Sequence, residues 1–207
     1  MASGTELADG DYIVPPGKVA MVVTHLEQTA PPERSEIAPP QGVRLAPWQG
    51  DAAAYVRLFR EIGTPWLWFG RLLKTPQELT ALFADPCHRI YAARRGDRAI
   101  GLLELAAQSD GNVEIAYFGL VPGETGRGAG RWLMDQAQRL AWSAPGTRRL
   151  WVHTCTADDP AAPAFYRKMG FTAFARGVEV ADDPRLSGLH TRDAGPEHLP
   201  VIAPPGR

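Results

Sequence analysis

Cysteine is scarce in this sequence: Cys87 and Cys155 are the two among 207 residues. Neither stands in a C-x-x-C pair, so a disulfide framework and a zinc ribbon are both excluded, and no metal is expected. Charge of one sign is also lacking, the formal net charge being −1. Without a basic field there is nothing to gather nucleic acid or an anionic membrane, and neither is an expected partner. No apolar run approaches the length that crosses a bilayer. The stretch 1–18 carries acids and prolines and no apolar segment. No secretory leader is therefore expected, and the chain reads as soluble and cytoplasmic. Arg94, Arg95 and Arg98 do cluster, but on a short hairpin that reads as a solvated face.

What is present suits one folded domain. Hydrophobic residues make up 44% and charged residues 22%, an ordinary globular balance at a length that supports one core. Residues 1–18 read as an N-terminal arm, 19–181 as the domain, and 182–207 as a proline-rich tail packed on the domain or fraying from it. Val19–Val23 predicts a strand, and the proline-rich stretch 30–42 a loop. Tyr55, Leu58, Phe59 and Ile62 recur at i, i+3, i+4 and i+7, one face of a helix that Gly63 is placed to stop. Thr75-Pro76-Gln77-Glu78 is a capping box opening a second helix with Leu79, Leu82 and Phe83 inward. The period then shortens. Strands are expected over 89–93, 99–107 and 113–120, an antiparallel meander joined by tight turns. A helix over 128–142 follows, with Leu133, Ala137, Leu140 and Ala141 on its core face and Asp135 and Arg139 on its wet side. A strand at 149–154, a short helix from Asp159 to Gly170 and a last strand over 171–180 complete an α/β fold around a mixed sheet.

The segment Gly126-Arg127-Gly128-Ala129-Gly130 lies between a strand and an amphipathic helix. A helix start exposes unpaired N–H groups and the positive end of the helix dipole, and glycines let a large anion reach them. A diphosphate is the natural guest. The Gly-Lys-Ser/Thr of a nucleotide P-loop is absent, and the preceding hairpins do not suit a dinucleotide fold. Downstream, residues 159–171 read DPAAPAFYRKMGF. Together with the strand end Gly119-Leu120-Val121-Pro122, these motifs resemble the GNAT (Gcn5-related N-acetyltransferase) superfamily over roughly residues 90–177.

The resemblance implies a GNAT fold, a mostly antiparallel mixed sheet flanked by helices, and an acetyl-CoA-dependent N-acetyltransferase that moves an acetyl group to a primary amine by direct attack. Phe118, Gly119 and Leu120 would offer backbone groups to the pantetheine arm of acetyl-CoA, and Gly126, Arg127, Gly128, Ala129, Gly130 and Arg131 would hold its diphosphate. The family usually opens this turn with Gln or Arg, where this chain has Thr125. It often has Asn where this chain has Asp159, which suits a helix cap. Tyr166 falls at the family's general acid, and a phenol is protonated at neutral pH. Glu114 is the first choice for the base. It lies four residues before Phe118, so strand alternation places both on one face, and histone-type members carry a glutamate there. His153 is the rival base. Trp66, Trp68 and Phe69 fall where the family roofs its acceptor site, although core packing explains such a run equally well. The acceptor reads as a small-molecule or peptide amine, and the assembly as a monomer or homodimer. The alternative is a non-catalytic acyl-CoA-binding or regulatory protein on the same fold.

Overall fold

Residues 6–206 are described in the computed structural model; residues 1–5 of the N-terminal arm and Arg207 of the tail lie outside them. The chain runs through β1 (Lys18–Gln28), β2 (Val43–Pro47), α1 (Ala52–Gly63), a 3₁₀ turn (Thr64–Trp66), α2 (Pro76–Ala84), β3 (His88–Arg95), β4 (Arg98–Ala107), β5 (Asn112–Leu120), α3 (Ala129–Trp142), β6 (Arg149–Cys155), α4 (Ala162–Lys168) and β7 (Thr172–Asp182). The helices start where the side chains dictate. Asp51 accepts from the Ala54 amide at the start of α1, and Thr75 and Glu78 satisfy each other's backbone amides at the start of α2.

The strands form one sheet in the order β2-β3-β4-β5-β6-β1-β7. β3, β4 and β5 are the expected meander. β5 and β6 are parallel. The first strand in sequence, β1, is inserted between β6 and β7 and runs antiparallel to both. Pleating divides the helices between the faces. Glu104 on β4 meets Tyr55 of α1 on one face, and on the other Arg89, paired with Leu105, reaches the Leu140 carbonyl of α3. Tyr55, Phe59 and Ile62 from α1, with Leu133, Met134 and Ala137 from α3, are essentially fully buried against the sheet.

Three local expectations need correction. α1 does end at Gly63, but with φ −94° and not as a left-handed stop. A Cβ there would lie 2.4 Å from Trp68 Cβ, so the missing side chain serves close packing. Asp135 is not on a wet face: it is fully buried. The proline loop crosses α3 above it, the Ile37 amide and Arg34 both reaching its carboxylate. The short helix begins at Ala162 rather than at Asp159, because Asp159 first accepts from the Ala161 amide in a turn ahead of it.

Candidate active site

The site begins with a defect in the sheet. β4 and β5 change register between Glu104↔Tyr117 and Leu105↔Ile115, which leaves Ala116 as an extra residue on β5. The parallel pairing of β5 with β6 ends at Ile115↔Val152. Beyond it the strands part, and Ala116–Leu120 on one side face His153 and Cys155 on the other across a cleft of about 590 Å³. Tyr117 to Leu120 still pair with β4 on their other side, so their edge toward β6 carries free backbone N–H and C=O groups. Phe118, Gly119 and Leu120 all line the cleft.

At one end of the cleft stands the glycine turn. Gly126 and Gly128 take φ of 75° and 82°, a conformation glycine adopts without steric cost. Gly128 caps α3 and contributes no side-chain hydrogen bond, so the first amides of this helix have no side-chain partner at the cap. A Cβ added at Gly126 or Gly128 meets nothing within 4 Å, and one at Gly130 meets Leu120 at an ordinary 3.7 Å. These glycines therefore border open space, a cradle suited to an anion on a helix start. Thr125, Gly126, Gly128, Gly130 and Arg131 line the cleft, whereas Arg127 and Ala129 do not. Arg127 is exposed to solvent beside the turn, and Ala129 is buried in the core and offers only its backbone. Glu124 pairs with Arg95 at 2.8 Å and braces the turn from the β3–β4 hairpin. Arg95 thus has a structural partner, which the solvated-hairpin reading missed.

Tyr166 occupies the middle. It is buried against Phe118, Phe165 and Phe171, and its hydroxyl has no hydrogen-bond partner among the described residues. Burial, reinforced by the Asp158 charge, pushes its pKa well above the ordinary phenol value. Asp159 lines the same stretch.

The far end gathers His153, Asp158, Glu179 and Met21 beneath Trp66, Leu67, Trp68 and Phe69. Glu114 does not line the cleft, because it lies in the stretch of β5 still paired with β6, opposite Trp151. The Ala116 bulge breaks the alternation expected between Glu114 and Phe118, so Glu114 shares the face of Tyr117 while Phe118 packs on Phe165 across the sheet. Glu114 instead stands 3.4 Å from His153 Nδ1, and the His153 side chain keeps 40% of its exposure. The Glu114 hydrogen bond raises the His153 pKa against the opposing effect of burial, and the charges of Glu114, Asp158 and Glu179 raise it further. The Cys155 thiol is pushed up to about 11, chiefly by burial and by Asp158, which favours the protonated thiol over the reactive thiolate.

The aromatic roof is fixed from two sides. From below, Arg71 pairs at 2.8 Å with the fully buried Glu104, which also takes the Tyr55 hydroxyl. Trp68 packs on Phe59 and Tyr117, and its indole reaches Asp158 at 3.4 Å. From above, the tail acts as a strap. His190 Nε2 donates to the Trp68 carbonyl at 2.9 Å and the Gly195 amide to the Thr64 carbonyl at 3.1 Å. Asp158, Glu179 and Met21 were not singled out from the sequence. Asp158 carries a faint signal, a second acid beside Asp159; the other two reach the site only because β1 lies between β6 and β7.

A family model of the Acetyltransferase (GNAT) family matches residues 55–171, more than half of the chain. The chain belongs to this family. No curated protein matches it. The fold is shared with solved structures of low identity. A GCN5-related N-acetyltransferase from Sphaerobacter thermophilus is similar with TM-score 0.57 at 18% identity, over 82% of this chain and 53% of that one. An acetyltransferase from Thermus thermophilus gives 0.52 at 23%, over 70% and 100%, and a GCN5-related N-acetyltransferase from Kribbella flavida 0.55 at 19%, over 83% and 63%. The chain thus spans about half the length of the Sphaerobacter protein. Like other members of this family it has the mixed, mostly antiparallel sheet that the motifs implied. Among the described residues no group of His, Cys, Asp and Glu is arranged to hold a metal, and no helix is long and apolar enough to cross a membrane.

Proposed function

We propose that this GNAT protein transfers an acetyl group from acetyl-CoA directly to a primary amine, with Tyr166 as the acid and His153, held by Glu114, as the base. The observation that carries the reading is the continuity of the cleft. It runs from the uncapped start of α3 through the β5–β6 gap to the imidazole, past the Tyr166 ring. The residues fit the donor: the glycine turn suits a diphosphate, and the free edge of β5 suits an extended amide-bearing arm added as a strand.

The chemistry needs a proton removed from the amine, and His153 faces the cleft to take it. Glu114, behind the ring, fixes its orientation and stabilises the imidazolium that forms, in the manner of an acid–histidine pair. This assigns Glu114 a positioning role rather than direct contact with the amine. Tyr166, kept protonated by burial, donates to the departing sulfur. Asp158 and Glu179 favour entry of a cationic acceptor.

The test is thiol release from acetyl-CoA with a panel of amines, beside calorimetry of acetyl-CoA alone. Release that depends on the amine is expected, and Tyr166→Phe should lower kcat about 100-fold or more with binding of acetyl-CoA little changed. Binding without release would leave an acyl-CoA-binding module, and undiminished kcat in Tyr166→Phe would remove the acid.

A further inference from the structure

The acceptor end has a composition that discriminates among amines. Its lining is largely apolar: Trp66, Leu67, Phe69 and Met21 all border it. Phe69 and Met21 belong to a small apolar cluster that also takes in Val19, Ala157 and Leu199 of the strap. Apart from the His153 imidazole, its charges are of one sign. Asp158 and Glu179 line it, and both act on His153 together with Glu114. Among the described residues lining the cleft, Arg131 is the one arginine and there is no lysine; Arg131 sits on α3, at the diphosphate end. Arg71, under the roof, is neutralised by the buried Glu104.

We infer that the acceptor is a compact amine with an apolar or aromatic body and no anionic group, so that amino acids, with a carboxylate beside the amine, are rejected. The inference rests on the acetyl-transfer reading above and narrows it.

A carboxylate on the acceptor would have to sit beside Asp158 and Glu179 with no lysine or arginine to receive it, and an unpaired charge in such a place is costly. Asp158 cannot be turned away to make room. Its carboxylate already takes the Thr154 hydroxyl and the Cys155 amide, both at 2.8 Å. Glu179, exposed on β7 opposite Met21, makes no ion pair with the described residues and so is free to meet an incoming ammonium. A polyamine has the right sign but no apolar body for the roof. A long peptide would also have to pass the strap, which ties both walls of this end together. His190 holds the Trp68 carbonyl and His198 the Thr156 carbonyl.

Three amines that share one ring separate charge from bulk: phenethylamine, phenylalanine and phenylalaninamide. Thiol release from acetyl-CoA is measured with each, and with spermidine and a lysine-bearing peptide. Phenethylamine should exceed phenylalanine in kcat/KM by about 100-fold, and phenylalaninamide should recover most of the difference, since only the carboxylate charge has gone. Glu179→Lys should raise KM for phenethylamine and lower it for phenylalanine, and Glu179→Gln should shift both in the same directions by less. Circular dichroism checks that either variant is folded.

Equal use of phenylalanine and phenethylamine would overturn the inference and leave acetyl transfer standing. Preference for spermidine or the peptide would do the same. Bound acetyl-CoA with no release for any amine would sink the transfer reading and the acceptor class together.

Discussion

His153 and Glu114 divide one task between two side chains. An imidazole titrates where a base must work at neutral pH, and a lone glutamate in water does not. Glu114 holds the proton on His153 through its hydrogen bond and charge, so the His153 pKa stands above its ordinary value. A base acts only when unprotonated, so kcat should rise with pH through that raised pKa. Removing the Glu114 charge takes away the largest cause of the shift. In Glu114→Gln the rising limb of kcat against pH is therefore expected at lower pH than in the unchanged protein, and the plateau about tenfold lower because the ring is less well held. Acetyl-CoA affinity should not change. A pH profile of kcat for both proteins checks this. An unmoved limb would show that Glu114 does not set the charge of His153, and loss of the limb altogether would return Glu114 to the role of base. The sequence alone favours Glu114 because strand alternation is carried straight through Ala116. A bulge adds one residue to one strand and flips the face of every residue beyond it, and nothing in the letters of Val113-Glu114-Ile115-Ala116 marks where that happens.

Among the three longer helices, α3 is the one without a side-chain cap. Asp51 caps α1 and Thr75 caps α2, whereas α3 begins on Gly128 with none, as the short α4 does on Ala161. Gly126 and Gly128 are explained by their positive φ. Gly130 is not: it is inside the helix, and a Cβ there would make an ordinary 3.7 Å contact with Leu120. The folded chain alone would be served as well by alanine, which favours a helix over glycine by about 0.5–1 kcal/mol. The glycine is therefore read as room for a ligand. Gly130→Ala should leave the melting temperature unchanged or raised while weakening acetyl-CoA at least about tenfold by calorimetry, or 1.4 kcal/mol. Unchanged affinity would mean that the diphosphate does not lie over this residue. This part of the site was legible because it is local. A glycine run before an amphipathic helix, a capping box at Thr75 and a helical face at Tyr55, Leu58, Phe59 and Ile62 all depend on neighbours a few residues away. Asp135 misled for the opposite reason. Its place on the helix predicts exposure, and only the distant loop bearing Arg34 and Ile37 buries it.

At the scale of the molecule, the two ends of the chain complete the acceptor end. β1 enters between β6 and β7 and contributes Met21, and the residues after β7 cross the roof. Hydrophobic pattern marks Val19–Val23 as a strand but says nothing of which strands it will join, and a proline-rich tail looks loose until its partners are known. The strap has its own anchor. Asp183 and Arg185 are buried and paired at 2.8 Å, the Asp183 amide meets the Gly17 carbonyl, and Arg185 also donates to the Leu199 carbonyl. Removing one partner of such a pair leaves the other charge buried and costs roughly 3–5 kcal/mol. The strap's hydrogen bonds run to Gly17, Thr64, Trp68 and Thr156 rather than to the glycine turn or the meander. Arg185→Met should therefore open residues 183–204 to limited proteolysis while acetyl-CoA binding stays the same. It should raise KM for the amine more than it lowers kcat, since Trp68 loses the His190 contact while Tyr166 keeps its packing on Phe118 and Phe171. If acetyl-CoA affinity fell in parallel, the pair would be supporting the whole fold. If proteolysis and KM both stayed as they were, the strap would be held by its apolar contacts at Leu199 and Gly195 and not by the buried ion pair.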